Sequence, residues 1–340
     1  MSRSELTIDL GALRRNARTL LRALDGAALW AVVKANGYGH GAVDVSRAAL
    51  EAGASALCVA TMPEALELRG ALPDARILCM SPVEPDDVRA ARDAGVELAF
   101  SGGDWPEGVR VHVKLNTGMG RYGISELPAP TRDVVGLMSH LATADTDPVF
   151  ARTQIDRFAE IVSPYRGELE CHIANSAAAL RLPAARFDAA RCGIAVYGLS
   201  PFQDEPAADG LEPVLGWRSR LTQVKLLQPG ESTGYGRRFV AEAPTWIGLV
   251  PVGYADGFRR DLKGTHVLVD GEPVDVVGTI SMDSFAVTLP SELPVGTAVT
   301  LIGGTASAEA HARIAGTINY EIVTGINPNP TRASRQVVET

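Results

Sequence analysis

Lys34 lies in Ala31-Val32-Val33-Lys34-Ala35-Asn36-Gly37-Tyr38-Gly39-His40-Gly41, directly after an apolar run and ahead of a glycine-rich turn. A lysine projecting from rigid backbone and stripped of water gives up its proton and attacks a carbonyl as a free amine. An isolated lysine is ordinarily solvated, so its neighbours decide the reading. Lys114-Leu115-Asn116-Thr117-Gly118-Met119-Gly120-Arg121 follows another apolar run, and its glycines allow a tight path that ends on a guanidinium. A planar, permanently charged group of that kind holds a carboxylate or a phenolate. His140, Asn175-Ser176 and Arg191 with Gly193-Ile194 follow further runs. Small hydroxyl and amide side chains, glycine N–H groups and a helix start are the ingredients of a phosphate cradle, although Asn-Ser alone more often caps a helix.

The elements that must position these groups alternate. Apolar, strand-like runs occupy 29–33, 56–60, 77–80, 96–100, 111–115, 134–138, 169–173 and 187–191, with helical periods between several of them. One helix is expected from Gly11 to Leu24 and another over 148–162; Thr61 with Pro63 and Glu64 reads as a helix start, and Gly53 and Gly95 as helix ends. Eight parallel strands with outer helices describe a closed (β/α)8 barrel, whose reactive groups lie at the C-terminal strand ends. The connections 101–110 and 116–132 are rich in turn formers and leave no room for a full helix. Beyond about 205 the helical period fades, and alternating runs at 221–227, 246–250, 266–269, 274–277, 285–289 and 298–302 predict an antiparallel β domain, with Asp270-Gly271 as a hairpin turn. The expected division is a barrel over 1–205 and a β domain over 206–340.

Composition narrows the field. The 340 residues are 46% hydrophobic and 21% charged, enough apolar surface for a large core. A net charge of −8 without long single-sign runs argues against nucleic acid and against an anionic membrane surface. No cleavable apolar segment opens the chain and no run is long enough to span a bilayer, so a cytoplasmic protein is expected. Cys58, Cys79, Cys171 and Cys192 are scattered; reduced thiols are expected, with no structural metal.

A lysine on one strand, a phosphate corner on two others and an arginine between them point to pyridoxal phosphate held on Lys34. Arg191 bears on the reaction type. A guanidinium cannot accept a proton, so a pyridine nitrogen facing it stays largely unprotonated and the ring is a weaker electron sink. Simple proton exchange at Cα suits that arrangement better than transamination.

With these residues in view, the chain resembles the alanine racemase family. The likeness rests on Val32 to Gly41, His112 to Arg121, Ala174-Asn175-Ser176-Ala177-Ala178, Tyr197-Gly198, Gly253-Tyr254-Ala255-Asp256-Gly257, Met282-Asp283 and Gly316-Thr317-Ile318-Asn319-Tyr320. What the resemblance implies is a racemase that supplies D-alanine for peptidoglycan. It would be a head-to-tail homodimer with two composite sites. Lys34 would carry the cofactor and act as one base, and Tyr235 would act as the second, delivered by the partner subunit. Inversion at a flat centre needs proton donors on opposite faces, and a tyrosine with a pKa near 10 needs help to serve as one. His140 and Arg191 resemble the pair that gives this help. By the same likeness Tyr38, Asn175, Ser176, Gly193 and Ile194 would hold the phosphate, and Arg121 would contact the phenolic oxygen and the substrate carboxylate. Met282, Asp283 and Tyr254 would face substrate, and Lys114 matches a lysine carbamylated in many relatives.

The chain departs from the family pattern in places. Gly37 stands where alanine is common, Thr279 where arginine is common and Cys192 where proline is common. Pro328, in Gly325-Ile326-Asn327-Pro328-Asn329-Pro330-Thr331-Arg332, falls near the position of a tyrosine that lines the substrate mouth. A wider mouth admits serine, so a broad-specificity or serine racemase is the nearer alternative. A noncatalytic carrier of the same cofactor is the other, and residues 206–340 count against it because such carriers typically lack that domain. A fold-related decarboxylase would want a cysteine late in the chain, and none follows Cys192.

Overall fold

The structure, a computed structural model, describes residues 2–82, 84–127 and 132–340. It divides into two compact units: Leu13–Glu212, and the residues up to Ala12 together with Pro213–Thr340. The opening strand β1 (Glu5–Asp9) belongs to the second of these.

In the first unit the expected apolar runs become β2 (Ala28–Val32), β3 (Ala56–Val59), β4 (Ile77–Cys79), β5 (Glu97–Phe100), β6 (Val111–Lys114), β7 (Val134–Met138), β8 (Glu170–His172) and β9 (Ala189–Cys192). They close in sequence order into one parallel barrel, with Trp30 of β2 opposite Arg191 of β9 across the seam. Near-continuous burial along each strand is what a parallel sheet covered on both faces requires. Helices Ala42–Glu51, Met62–Ala71, Pro85–Ala94 and Pro148–Val162 separate strands as the helical periods predict. Thr61 caps Met62–Ala71 in a reciprocal box with Glu64, and Gly95 ends Pro85–Ala94 in the left-handed conformation. The 101–110 connection carries no helix, and neither do the described residues of 116–132, of which 128–131 lie outside the described residues.

The second unit is built on a nine-stranded sheet. Its strands are β1 together with β10 (Leu215–Arg220), β11 (Gln223–Leu227), β14 (Thr245–Val250), β15 (His266–Val269), β16 (Glu272–Val277), β17 (Phe285–Leu289), β18 (Ala298–Ile302) and β19 (Ser334–Val338), with β12 (Ser232–Thr233) and β13 (Phe239–Val240) as a separate hairpin. The order is β11-β14-β17-β16-β15-β18-β10-β1-β19, antiparallel except for the β1–β19 pair. Asp270 (φ 52°) and Gly271 (φ 87°) turn β15 into β16 in the left-handed region, as that dipeptide predicts. Phe258 stacks on Phe285 at 4.3 Å between ring centroids.

These units differ from a division at 205/206 in two respects. Strand β1 joins the sheet because both its edges are paired there, with β10 and β19, and residues up to Glu212 stay with the barrel, where the Asn16 side chain bonds both the N–H and the carbonyl of Glu212. The β domain also holds two helices that the fading helical period concealed, Ala308–Ala315 and Asn319–Thr324.

Candidate active site

The turn after β2 sets the position of Lys34. Ala35, Asn36, Gly37 and Tyr38 are consecutive left-handed residues, with φ between 52° and 60°. Such a run costs about 1–2 kcal/mol per non-glycine residue and persists only where its surroundings hold it. Glu64 accepts the Ala35 N–H at 2.7 Å, Asn36 Oδ1 accepts the Ala42 N–H at 2.9 Å, and the Gly37 N–H reaches the Val33 carbonyl at 2.9 Å. Gly37 has a steric reason to lack a side chain, since a Cβ there would lie 2.7 Å from Val45 Cγ2. Burial, and then the charge of Arg121, hold the Lys34 ammonium below its ordinary pKa, with Glu64 opposing.

Three further strand ends send basic groups to the same place. Lys114 ends β6; burial, followed by the charges of Arg191, Arg121 and Lys34, lowers its pKa to about 8. Arg121 is exposed on a loop closed by the Leu115–Ile124 bridge, where Asn116 Oδ1 accepts the Gly118 and Gly120 N–H groups. His140 follows β7, and its pKa drops to about 3 through burial and then the charges of Arg191, Arg121, Lys114 and Lys34. Arg191, on β9, is buried; it donates to the Ser139 carbonyl at 2.6 Å, to the His172 carbonyl at 3.1 Å and to His140 Nδ1 at 3.4 Å. The barrel mouth therefore concentrates positive charge, which suits a ligand carrying several negative groups.

The corner expected to hold a phosphate is a cradle that a side chain would fill. A Cβ at Gly193 would meet Tyr38 Oη at 2.3 Å and Cζ at 2.8 Å. Ser176 Oγ accepts the N–H groups of Gly193 (3.1 Å) and Ala195 (3.4 Å), beside Ile194. Asn175 caps the helix Ser176–Arg181 by accepting the Ala178 N–H at 3.0 Å, the ordinary role of such a residue. Tyr38 is buried and stacked on Tyr197 at 4.8 Å.

The remaining residues that the sequence singled out, Tyr235, Tyr254, Met282 and Asp283, lie in the β unit. Tyr235 opens a short turn and is 74% exposed; Thr279, in the arginine position, donates its hydroxyl to the Tyr235 carbonyl at 2.9 Å. Tyr254 and the Met282-Asp283 turn are stitched together, since the Tyr254 N–H reaches the Ser281 carbonyl at 3.1 Å and the Ala255 N–H the Met282 carbonyl at 3.0 Å. Arg332 bonds Asp283 at 2.8 Å and buried Asp256 at 2.9 Å, and Arg3 also pairs with Asp256 at 2.7 Å.

Sequence reasoning assigned no role to His172, which the barrel places against Arg191, or to His112 and Glu97, which continue from it. His172 Nδ1 lies 2.5 Å from Arg191 Nη1, His172 Nε2 lies 2.9 Å from His112 Nδ1, and His112 Nε2 lies 2.9 Å from Glu97 Oε2. The available signal was period two: His112 precedes Lys114 by two residues on β6 and shares its face.

Two family models match this chain, the alanine racemase N-terminal domain over residues 8–201 and the alanine racemase C-terminal domain over residues 214–334. The alanine racemase of Geobacillus stearothermophilus is 42% identical over 354 residues, covering 93% of this chain and 89% of its own. That of Lactiplantibacillus plantarum is 39% identical over 363 residues, covering 97% and 96%. Among solved structures, the alanine racemase of Streptomyces coelicolor superposes with a TM-score of 0.91 at 39% identity, covering 99% of this chain and 98% of that one. The enzyme from D-cycloserine-producing Streptomyces lavendulae gives 0.91 at 36% identity, covering 100% and 98%. Fold and site together define an isomerase of the barrel-plus-β-domain class. The chain belongs to the alanine racemase family.

Proposed function

We propose that this protein interconverts L- and D-alanine with pyridoxal phosphate as cofactor, in the cytoplasm, and so supplies D-alanine for peptidoglycan. The observation that carries the reading is the gathering of Lys34, Lys114, Arg121, His140 and Arg191 at one barrel end, beside the Gly193 cradle. The residues present fit this cofactor: an amine of lowered pKa for the aldehyde, Gly193 and Ile194 with Tyr38, Asn175 and Ser176 for the phosphate, Arg121 for the phenolic oxygen and Arg191 for the pyridine nitrogen. When bound, pyridoxal phosphate would supply an electron sink for the pair released at the substrate Cα.

The chain's own residues then move the protons. Lys34 Nζ, its pKa lowered by burial and by Arg121, takes or returns the Cα proton on one face. Tyr235 Oη of a second copy serves the other face in a head-to-tail homodimer, consistent with its exposure in the single chain. Burial and four neighbouring cations keep His140 neutral. With Nδ1 accepting from Arg191, His140 offers its Nε2–H, and a donor of that kind favours an ionised phenol. Arg121 orients the substrate carboxylate, with Met282, Asp283 and Tyr254 shaping the partner's side of the pocket. Carbamylation of Lys114 would convert an amine into an anion able to steady Arg121. No helix among the described residues is long and apolar enough to cross a membrane.

The test is a chiral assay of purified protein with pyridoxal phosphate on L-alanine and L-serine, with borohydride reduction and peptide mapping. Conversion of L-alanine and a pyridoxyl group on Lys34 are expected. A label on another lysine, or turnover confined to serine, would overturn the assignment.

A further inference from the structure

The bonds below Arg191 form a directed chain. A guanidinium only donates and a carboxylate only accepts. Arg191 Nη1–H can therefore meet His172 Nδ1 at 2.5 Å only if that nitrogen carries a lone pair, which puts the His172 proton on Nε2. That proton points at His112 Nδ1, 2.9 Å away, which must in turn be an acceptor. The His112 proton is then on Nε2 and donates to Glu97 Oε2 at 2.9 Å. Read from Glu97 upward, the assignment is the same. Arg76 (3.0 Å) and Arg110 (2.7 Å) hold the Glu97 carboxylate, and Arg76 is itself held by Glu170 at 2.7 Å. Both imidazoles are fully buried, and burial disfavours their charged forms.

A second feature is independent of the bonds. At Gly136 of β7 a Cβ would lie 2.1 Å from His112 Nδ1. The missing side chain leaves the space in which the two histidines meet. Barrel interiors are ordinarily filled by branched apolar side chains, so a polar file through this one calls for a reason.

We propose that Glu97, His112 and His172 form a positioning relay, cleared by Gly136, that locks both imidazoles in one tautomer and thereby aims Arg191 at the site. None of the three touches the reacting atoms. Their part in catalysis rests on the racemase reading; the tautomer lock does not.

The test uses the full chain labelled with nitrogen-15 histidine, without cofactor, its six histidines assigned by His112→Gln and His172→Gln. Long-range proton–nitrogen spectra at neutral pH should show rings 112 and 172 neutral, with the proton on Nε2. In Glu97→Gln the amide keeps its oxygen toward Arg76 and Arg110 and turns its NH2 to His112, so the His112 proton should move to Nδ1, while His172, still set by Arg191, keeps its Nε2–H and the bond between the two rings is lost. In Gly136→Ala the methyl should separate the rings, freeing His172 while His112 keeps its tautomer. With cofactor added, Glu97→Gln should lower kcat at least tenfold in both directions, with KM for alanine within threefold. A parent chain with either ring charged or protonated on Nδ1 overturns the proposal, as does a reversed tautomer with unchanged kcat. A parent chain inactive on alanine but showing both Nε2–H rings sinks the racemase reading and leaves the lock standing.

Discussion

Gly193→Ala tests whether the corner between β9 and the Lys34 turn is a close-fitted phosphate cradle. The added Cβ would lie 2.3 Å from Tyr38 Oη, against an ordinary contact of 3.4 Å or more, so something must yield by about 1.1 Å. Tyr38 has little freedom to do so. Its backbone is one of the left-handed residues (φ 53°), and its ring stacks on Tyr197, whose hydroxyl is held by the Val32 carbonyl at 2.9 Å. Forcing a methyl into such a site costs about 1–3 kcal/mol, which for a unit of this size lowers Tm by roughly 2–12 °C. If the strain displaces Tyr38 and the Gly193 N–H from the phosphate, the Kd for pyridoxal phosphate should rise about 10–100-fold, at about 1.4 kcal/mol per decade. Calorimetry and an absorbance titration of cofactor-free protein read the two effects separately. Adding Tyr38→Phe removes the closest contact and leaves the one to Cζ, so the double variant should regain part of the Tm and little of the affinity. Unchanged Tm and Kd in Gly193→Ala would refute the reasoning.

Tyr235→Phe should depress L-to-D exchange far more than D-to-L exchange, followed by Cα deuterium wash-in with each enantiomer; a mild, symmetric loss argues against two bases. Asp256 is pulled upward by burial, but its bonds to Arg3, the Gly253 N–H and Arg332 prevail and leave its carboxyl below the usual range. Its stabilisation is therefore full above the unfolded pKa and fades as pH falls through the folded one. Asp256→Asn should cost about 2–3 kcal/mol near neutrality and flatten the acid limb of a denaturation series below about pH 4; an unflattened limb would assign that titration elsewhere. Lys114, with a pKa of about 8, should become carbamylated as pH rises through that value, visible as a carbon-13 carbamate signal from labelled bicarbonate that Lys114→Arg abolishes.

The barrel was legible because each of its strands is an apolar run bounded by turn residues, and burial on both faces leaves that run unbroken. Strand β1 was not. Glu-Leu-Thr-Ile-Asp is short, half polar and paired only with distant segments, so its local sequence does not mark a strand. The run at 221–227 matches β11, whereas β10 was missed, because its inward positions include the polar Ser219 and arginines fill the positions beside it. The basic groups of the mouth could be read because each ends a strand beside glycine. Glu97, His112 and His172 could not, because their partners sit on three different strands and meet only once the barrel has closed.

The register of β1 bears on how this chain is made. Glu5 pairs with Arg218 on one side and Ser334 on the other, so β1, once synthesised, waits for about two hundred further residues before one neighbour exists and over three hundred for the second. At about 5–20 residues per second that is roughly 10–60 s with an open hydrogen-bonding edge. Only when β19 docks is the second edge of β1 closed, so the β10–β1–β19 end of the sheet is the part that synthesis completes last.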